Sequence, residues 1–196
     1  MTEISPRKIP RQRRSAATYE AILEAAARIL EAGGPEALTT NHVAERAGVS
    51  IGSLYQYFPS KSAIQAELIR RLRRRMLEDL RAGVAASRGL DLAETADCLV
   101  RASMRHHANR PELARVLEFL EQTLPLDAET AEVKAQIQAE IVAVLALHGV
   151  AEIETAAFDL SALTKGMVEA AVQAGEQDYE ALAARVSRAA RGYLGV

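Results

Sequence analysis

Hydrophobic side chains recur along most of the chain at the spacing of amphipathic helices. Ile22, Leu23, Ala26, Ile29 and Leu30 form one such stripe, as expected where one helical face is buried. No segment of useful length alternates apolar and polar residues in the way that is typical of a strand. The pattern therefore predicts an all-α fold.

Glycine, proline and hydroxyl residues divide the first part of the chain into helices. The first helix is predicted to end at Gly33-Gly34-Pro35, because glycine takes a left-handed cap and proline cannot continue the helix. Threonine and serine hydroxyls are expected to cap the helices that follow. These are a short helix from Thr39 or Thr40 to about Ala47, stopped by Gly48, another from Ser50 to Pro59, and a long one from Ser60 to about Arg81.

The rest of the chain continues in the same way after a predicted loop at residues 83–90. Asp91 and Glu94 have the spacing of a capping box, and Pro111 suits a first helical position. Pro125 interrupts the chain again, and His148-Gly149 suits the end of a helix. With further helices over about 91–107, 127–147, 154–174 and 178–194, the sequence predicts about nine helices.

The most informative window is a short helix, a turn at Gly48 and a second short helix. Val43 and Ala44 on the first helix face Leu54 and Phe58 on the second, which suits two helices locked at a steep angle. The small residues Ala44, Ala47 and Gly48 permit a close approach of the two backbones. The spacing therefore predicts a helix-turn-helix.

The other face of the second helix carries groups suited to nucleic acid. Ser50 and Gly52 add exposed amides at a helix N-terminus, which is a natural phosphate site, and Lys61 adds a cation just beyond. The alternative interpretation is a pair of core helices with incidental polar residues. The residues left free to lie in a groove are Ile51, Gly52, Ser53, Tyr55, Gln56 and Tyr57.

These residues resemble a known family. Leu38-Thr39-Thr40 followed by VAERAGVSIGSLYQYFPSK over residues 43–61 is similar to the DNA-binding signature of the TetR family of transcriptional regulators. The resemblance covers roughly residues 15–70 and implies an N-terminal three-helix DNA-binding domain. It also implies a C-terminal helical domain that dimerises and usually binds a small molecule, whose binding releases the operator. We expect a basic flexible arm (1–13), a helix-turn-helix domain (14–62) and a ligand-binding and dimerisation domain (63–196).

The resemblance also implies roles for individual residues. Phosphate contacts set register while base contacts specify sequence. Gln56 can pair with adenine and Ile51 can touch a thymine methyl. The arm's arginines either enter a flanking minor groove or form a solvated tail. The expected phosphate contacts are Thr40, Tyr55, Tyr57 and Lys61, with Ser50 at the helix N-terminus, and the expected base contacts are Asn41, Ile51, Gly52, Ser53 and Gln56.

Composition and charge narrow the class of protein. The formal net charge is −2, yet residues 1–75 hold 13 Lys and Arg against 7 Asp and Glu (+6), while residues 76–196 hold 11 against 19 (−8). Such asymmetry suggests that only one part meets a polyanion. The single cysteine forms no internal disulfide, no Cys/His spacing suggests a metal, and the longest apolar run is Ile141–Leu147. We therefore expect a cytoplasmic protein with no metal, cofactor or membrane span.

The resemblance places a homodimer interface in the last two helices. One recognition helix covers too little DNA, so a two-fold dimer on a palindromic double-stranded operator is expected. The alternative is that both helical faces pack within one monomer. The faces expected to meet across the dyad are Leu160, Leu163, Met167 and Ala171 on one helix and Leu182, Val186, Ala189 and Tyr193 on the other.

A small-molecule pocket is expected between the middle helices, although Met and Phe at helical spacing are commonly plain core. Three functions remain to be compared. They are a ligand-responsive repressor, an enzyme, and a protein-binding adaptor whose helix-turn-helix domain (the DNA-binding head) does not bind DNA. The sequence shows no catalytic constellation, which favours the repressor over an enzyme. The candidate ligand-binding residues are Met104, His107, Phe119, Gln122, Phe158 and Met167.

Overall fold

The computed structural model describes residues 3–8 and 12–196, and within these ranges every regular element is an α-helix. The all-α prediction with about nine helices is thus confirmed for the described part of the chain. The helices are α1 (Arg13–Ala37), α2 (Thr40–Ala47), α3 (Ile51–Tyr57), α4 (Lys61–Ala86), α5 (Leu92–Asn109), α6 (Pro111–Glu121), α7 (Asp127–Leu147), α8 (Ile153–Gln173) and α9 (Tyr179–Leu194).

Several predicted helix signals have their expected geometry. Gly34 takes a left-handed φ of 67°, so the regular part of α1 is interrupted at the predicted glycine pair. Asp91 and Glu94 form the predicted capping box, with Glu94 N donating to Asp91 Oδ1 at 2.8 Å and Asp91 N to Glu94 Oε2 at 3.2 Å. These contacts satisfy amides that a helix start otherwise leaves unpaired.

The loop predicted at residues 83–90 is wrong at its start, because α4 continues to Ala86. Gly83 lies inside the helix, where an added Cβ would come within 2.7 Å of the Ala102 Cβ on α5. The glycine therefore allows close packing between α4 and α5 and does not end a helix.

Contacts divide the chain into two compact units. The first contains the chain up to Leu72 and also Arg110–Leu126, and its core includes Ile22, Leu54 and Phe58. Helix α6 belongs to this unit because Leu113, Val116, Leu117 and Leu120 join the same core. The predicted ranges had placed α6 with the C-terminal helices.

The second unit contains Arg73–Asn109 and Asp127–Val196. In it α5 packs against α9, and α8 packs against both α7 and α9. Val100, Met104, Val168, Leu182 and Val186 form its main apolar cluster. None of the helices that the structure describes has the length and apolar character needed to span a bilayer.

Candidate nucleic-acid interface

Both short helices begin at a side-chain cap. Thr39 Oγ1 accepts a hydrogen bond from His42 N at 3.1 Å, and Ser50 Oγ accepts one from Ser53 N at 3.1 Å. Both caps were predicted and are confirmed. They fix where α2 and α3 start, and hence which side chains share a face.

The turn between the two helices depends on Gly48. This residue is left-handed, with φ 66° and ψ 32°, and its N–H donates to the carbonyls of Ala44 and Glu45. Val49 N then donates to Ala44 O at 3.0 Å. This backbone conformation favours glycine because it lacks a Cβ.

The inward faces of α2 and α3 meet as the spacing predicts. Val43, Ala44, Leu54 and Phe58 are buried in the core of the first unit. Because this face is fixed from inside, the opposite face of α3 is held in a defined orientation. The helix-turn-helix prediction is confirmed.

The opposite face of α3 lies open to solvent. Ile51 is 39% exposed and Tyr55 41%, and Gln56 is also exposed. At Gly52 a Cβ would find only Ser50 Oγ, at 3.9 Å. The chain's own packing therefore does not require a glycine there, whereas close approach of an external backbone or base would.

Two candidate phosphate ligands from different helices lie side by side. Thr40 Oγ1 on α2 and Tyr55 Oη on α3 are 3.2 Å apart. Asn41 and Lys61 are also exposed, at the first turns of α2 and α4 respectively. Two hydroxyls at this separation can both donate to one phosphate group.

Tyr57 is a correction, since it does not lie on the open face. Its side chain is 7% exposed, and its ring meets that of Tyr19 edge-on, with centroids 5.9 Å apart and an interplanar angle of 72°. The physical reason is helical periodicity, because Tyr57 follows the buried Leu54 by three positions and so shares its face.

The described part of the predicted basic arm has contacts with the rest of the first unit. Residues 3–8 contact the helix-turn-helix and the core of the first unit. Arg7 N donates to Tyr57 O at 2.8 Å, and Ile4 packs against the core of this unit. These contacts place residues 3–8 against the first unit, and the flexibility expected of the arm stays a prediction. Arg11 lies outside the described residues, and Arg13 and Arg14 belong to α1.

Sequence reasoning also missed His42. Its side chain is exposed beside Asn41, and its Nδ1 lies 3.2 Å from Ala37 O. A histidine among polar helix-start residues gives no distinct pattern, so only the fold reveals this contact.

The candidate ligand residues fall in different places. Met104 belongs to the main apolar cluster of the second unit and Met167 packs against that cluster, and His107 is buried on α5. Phe158 on α8 is 66% exposed, so it does not line the interior of that unit. Phe119, 60% exposed, and Gln122, also exposed, belong to the first unit.

Two residues of the predicted dimer faces, Leu182 and Val186, need correction, whereas Tyr193 is 44% exposed. Leu182 and Val186 are buried within the chain against Leu160, Leu163 and Met167, because the apolar faces of α8 and α9 cover each other. Other faces of α8 and α9 remain exposed. These are Phe158, Ala162, Gly166 and Ala170 on α8, and Ala181, Ala184, Arg188 and Gly192 on α9.

The capped helices, the glycine turn and the open face of α3 define a helix-turn-helix protein of the DNA-binding class. Comparison with known families gives the same class. The family described as "Bacterial regulatory proteins, tetR family" matches residues 22–68. That described as "Tetracyclin repressor-like, C-terminal domain" matches residues 91–194. The chain belongs to the TetR family, whose members are DNA-binding transcription regulators.

Individual relatives support this assignment. An uncharacterised HTH-type transcriptional regulator of Mycobacterium tuberculosis is 30% identical over 105 residues, which is 52% of this chain and 50% of the relative. The chain thus spans about half the length of that curated relative. The HTH-type transcriptional repressor KstR of Mycolicibacterium smegmatis is 55% identical over 40 residues, 20% of each chain.

Solved structures share the fold over nearly the whole chain. A TetR-like transcriptional regulator from Rhodococcus sp. RHA1 superposes with a TM-score of 0.71 at 21% identity, covering 96% of this chain and all (100%) of the other. The fatty acid degradation regulator FadR from Bacillus halodurans gives a TM-score of 0.69 at 20% identity, covering 87% of this chain and 96% of FadR.

Proposed function

We propose that the chain is a ligand-responsive transcriptional repressor, acting in the cytoplasm, that binds a palindromic operator as a homodimer. A small molecule bound by the C-terminal helices releases it from DNA. The observation that carries this proposal is the open face of α3, where Ile51 and Tyr55 are exposed on a helix whose other face is fully packed.

The contacts with DNA divide into two groups. Thr40, Tyr55 and Lys61, with the amides at Ser50, hold phosphates and set the register. Asn41, Ser53 and Gln56 reach base edges, Ile51 supplies an apolar contact, and Gly52 admits close approach. No arginine lies on α3, so phosphate contacts supply much of the affinity.

The need for two copies follows from the size of α3. Its seven residues span roughly 10 Å, or about three base pairs at 3.4 Å each. A two-fold dimer doubles the sequence that is read. The exposed alanines and glycines of α8 and α9 suit a close interface between copies, and the similarity to the repressor KstR favours repression.

The effector is proposed to bind within the C-terminal unit. Met104 belongs to the main apolar cluster there and Met167 packs against it, and His107 supplies a polar group on α5. The chain has no Trp, three Phe and five Tyr, which favours an aliphatic or mixed apolar ligand over a large aromatic one.

One experiment tests DNA binding without knowledge of the operator. The full-length protein is used to enrich duplexes from a random-sequence library, and the enriched duplex is titrated at several salt concentrations. We expect an inverted repeat bound with strong salt dependence. If no sequence is enriched, the adaptor function replaces the proposal.

The effector is sought by thermal shift. A ligand at 100 times its Kd raises stability by about 2.7 kcal/mol, so a screen of small apolar acids and neutral compounds detects binders. A true effector also releases the enriched duplex. A compound that raises the melting temperature but leaves the DNA complex intact is not an effector.

A further inference from the structure

The N-terminal segment Glu3–Lys8, here called the strap, lies across the end of the recognition helix. We propose that the strap holds the C-terminal end of α3 in its DNA-reading position, which makes Arg7 and Ile4 positioning residues. This inference rests on the proposed function of α3 in DNA binding. The strap precedes residues 22–68, which the N-terminal family domain covers.

Helix α3 needs support at its C-terminal end. With seven residues it is far below the ~12–15 residues at which isolated helices become marginally stable. The last four carbonyls of a helix also lack partners within it. Phe58 N donates a hydrogen bond to Leu54 O at 2.9 Å. The carbonyls of Tyr55 and Tyr57 accept hydrogen bonds from outside the helix.

Arg7 supplies both of those hydrogen bonds. Its backbone N donates to Tyr57 O at 2.8 Å, and its Nη1 donates to Tyr55 O at 3.4 Å. A cation at the C-terminus of a helix also interacts favourably with the helix dipole. One residue of the strap thus stabilises the last turn of α3, which carries Tyr55 and Gln56.

The other end of the strap is anchored on α4. Ser60 Oγ donates to Glu3 O at 3.0 Å while accepting from Ala63 N at 3.1 Å. Arg70 Nη1 donates to Ile4 O at 3.0 Å, and the Ile4 side chain packs against the core. The strap therefore joins the end of α3 to the beginning of α4.

Arg7 could either position α3 or contact a phosphate directly, and the two roles predict a different salt dependence of DNA binding. A direct contact by Arg7 contributes to the salt dependence of binding, since it releases a counterion. If the strap positions α3, substitution of a neutral residue of the strap should also weaken DNA binding. Ile4 is the suitable residue, because its half-buried side chain anchors the strap and carries no charge.

The first test is Ile4→Ser, with Ser5→Ala as the matched control at the next, exposed position. Hydrogen exchange is measured without DNA, and affinity is measured on the duplex enriched by the wild-type protein. For Ile4→Ser we expect faster exchange of the amides of residues 54–58, with α9 unchanged. Affinity should fall by about fivefold for each copy in the dimer, the scale of one hydrogen bond lost between the strap and α3, at an unchanged salt slope. Ser5→Ala should match the wild type in both measurements.

The second test is Arg7→Ala. Positioning predicts faster exchange of the same amides in the free protein, together with weaker binding. If exchange is unchanged and the salt slope falls by about 1 for each copy in the dimer, Arg7 is a direct phosphate contact and the inference is overturned. It is also overturned if Ile4→Ser leaves both exchange and affinity at the wild-type values. Failure of the wild type to enrich any duplex contradicts the proposed function instead, and the exchange of the free protein still decides whether the strap orders α3.

Discussion

Tyr55 and Tyr57 are two positions apart on α3, and helical geometry gives them opposite surroundings. Two residues turn the helix by roughly 200°, so Tyr55 is exposed beside Thr40 while Tyr57 packs against Tyr19. At the scale of the residue, the chemistry of a side chain is thus less informative than its position relative to the buried Leu54.

Substitution of the two tyrosines separates these roles. Tyr55→Phe removes a hydroxyl that we expect to hold a phosphate, so affinity should fall by about tenfold for each head, the scale of a hydrogen bond to a charged group. Because a neutral hydroxyl displaces no counterion, the salt slope should stay constant. Tyr57→Phe should bind as the wild type does in a gel-shift titration. Equal losses in both variants would mean that Tyr57 also contacts DNA.

Lys61 is expected to contribute charge without sequence preference. Lys61→Ala should weaken binding to specific and non-specific duplexes alike and reduce the salt slope by about 1 for each head. The matched control is Lys134→Ala, which removes an exposed lysine of α7 in the acidic second unit. An unchanged slope for Lys61→Ala would contradict a phosphate contact.

Side-chain caps and helical spacing were predictable because they depend on neighbours in the sequence. Thr39, Ser50 and Asp91 cap the helices that follow them, as local chemistry requires. The role of Gly83 was not predictable, since a glycine in a helix looks the same whether it ends the helix or faces another one. Its partner Ala102 is distant in the sequence, and so are the strap's partners on α3 and α4.

At the scale of the element, α6 shows most clearly what sequence order conceals. It follows α5 directly, yet its apolar face completes the core of the first unit. Arg110, at its N-cap, donates to Glu31 Oε1 at 2.6 Å and Oε2 at 2.8 Å, and to Glu24 Oε2 at 3.1 Å. Hydrogen bonds to Glu31, followed by those to Glu24, raise the pKa of Arg110, so α6 is joined to α1 by a persistent cation.

Removal of this cation should loosen the first unit. Arg110→Ala is expected to destabilise it by about 1 kcal/mol, more than an exposed pair contributes, because one guanidinium serves two carboxylates in a partly buried network. Arg115→Ala is the control on the same helix, since Arg115 forms an exposed pair with Glu112. Urea unfolding compares the two variants. Equal midpoints would show that the apolar contacts alone hold α6.

The same network gives the unit a pH dependence. Hydrogen bonds from Arg28 and then Arg110 lower the pKa of Glu24 from its ordinary value of 4.5. The stabilisation is therefore complete above the unfolded-state pKa and is lost as the pH falls through the lower folded-state pKa. As the pH falls below 4.5, Arg110→Ala should lose less stability than the wild type, because it lacks one of the two cations that lower the pKa of Glu24.

At the scale of the whole molecule, the charge of the chain differs between its two units. The first 75 residues carry +6 and the remainder −8. Divided by the two units, the first holds 12 Lys and Arg against 10 Asp and Glu (+2) and the second 12 against 16 (−4), because Arg73, Arg74 and Arg75 belong to the second unit and α6 to the first. Positive charge raises the rate of encounter with DNA, whereas negative charge is repelled by the phosphates. The unit that contains the helix-turn-helix is thus the one whose charge favours contact with DNA.

Operator binding by two heads depends on the interface between copies, which we place on the exposed faces of α8 and α9. Ala170→Glu adds a carboxylate to this face, and two-fold symmetry brings two such charges into one interface. We expect the wild type to sediment as a dimer and the variant as a monomer. Since each head neutralises half of the phosphates, the salt slope should fall by about half.

Ala85→Glu, at an exposed position near the end of α4, adds the same charge elsewhere and should remain dimeric. If Ala170→Glu sediments as a dimer with the wild-type slope, the copies meet through another surface.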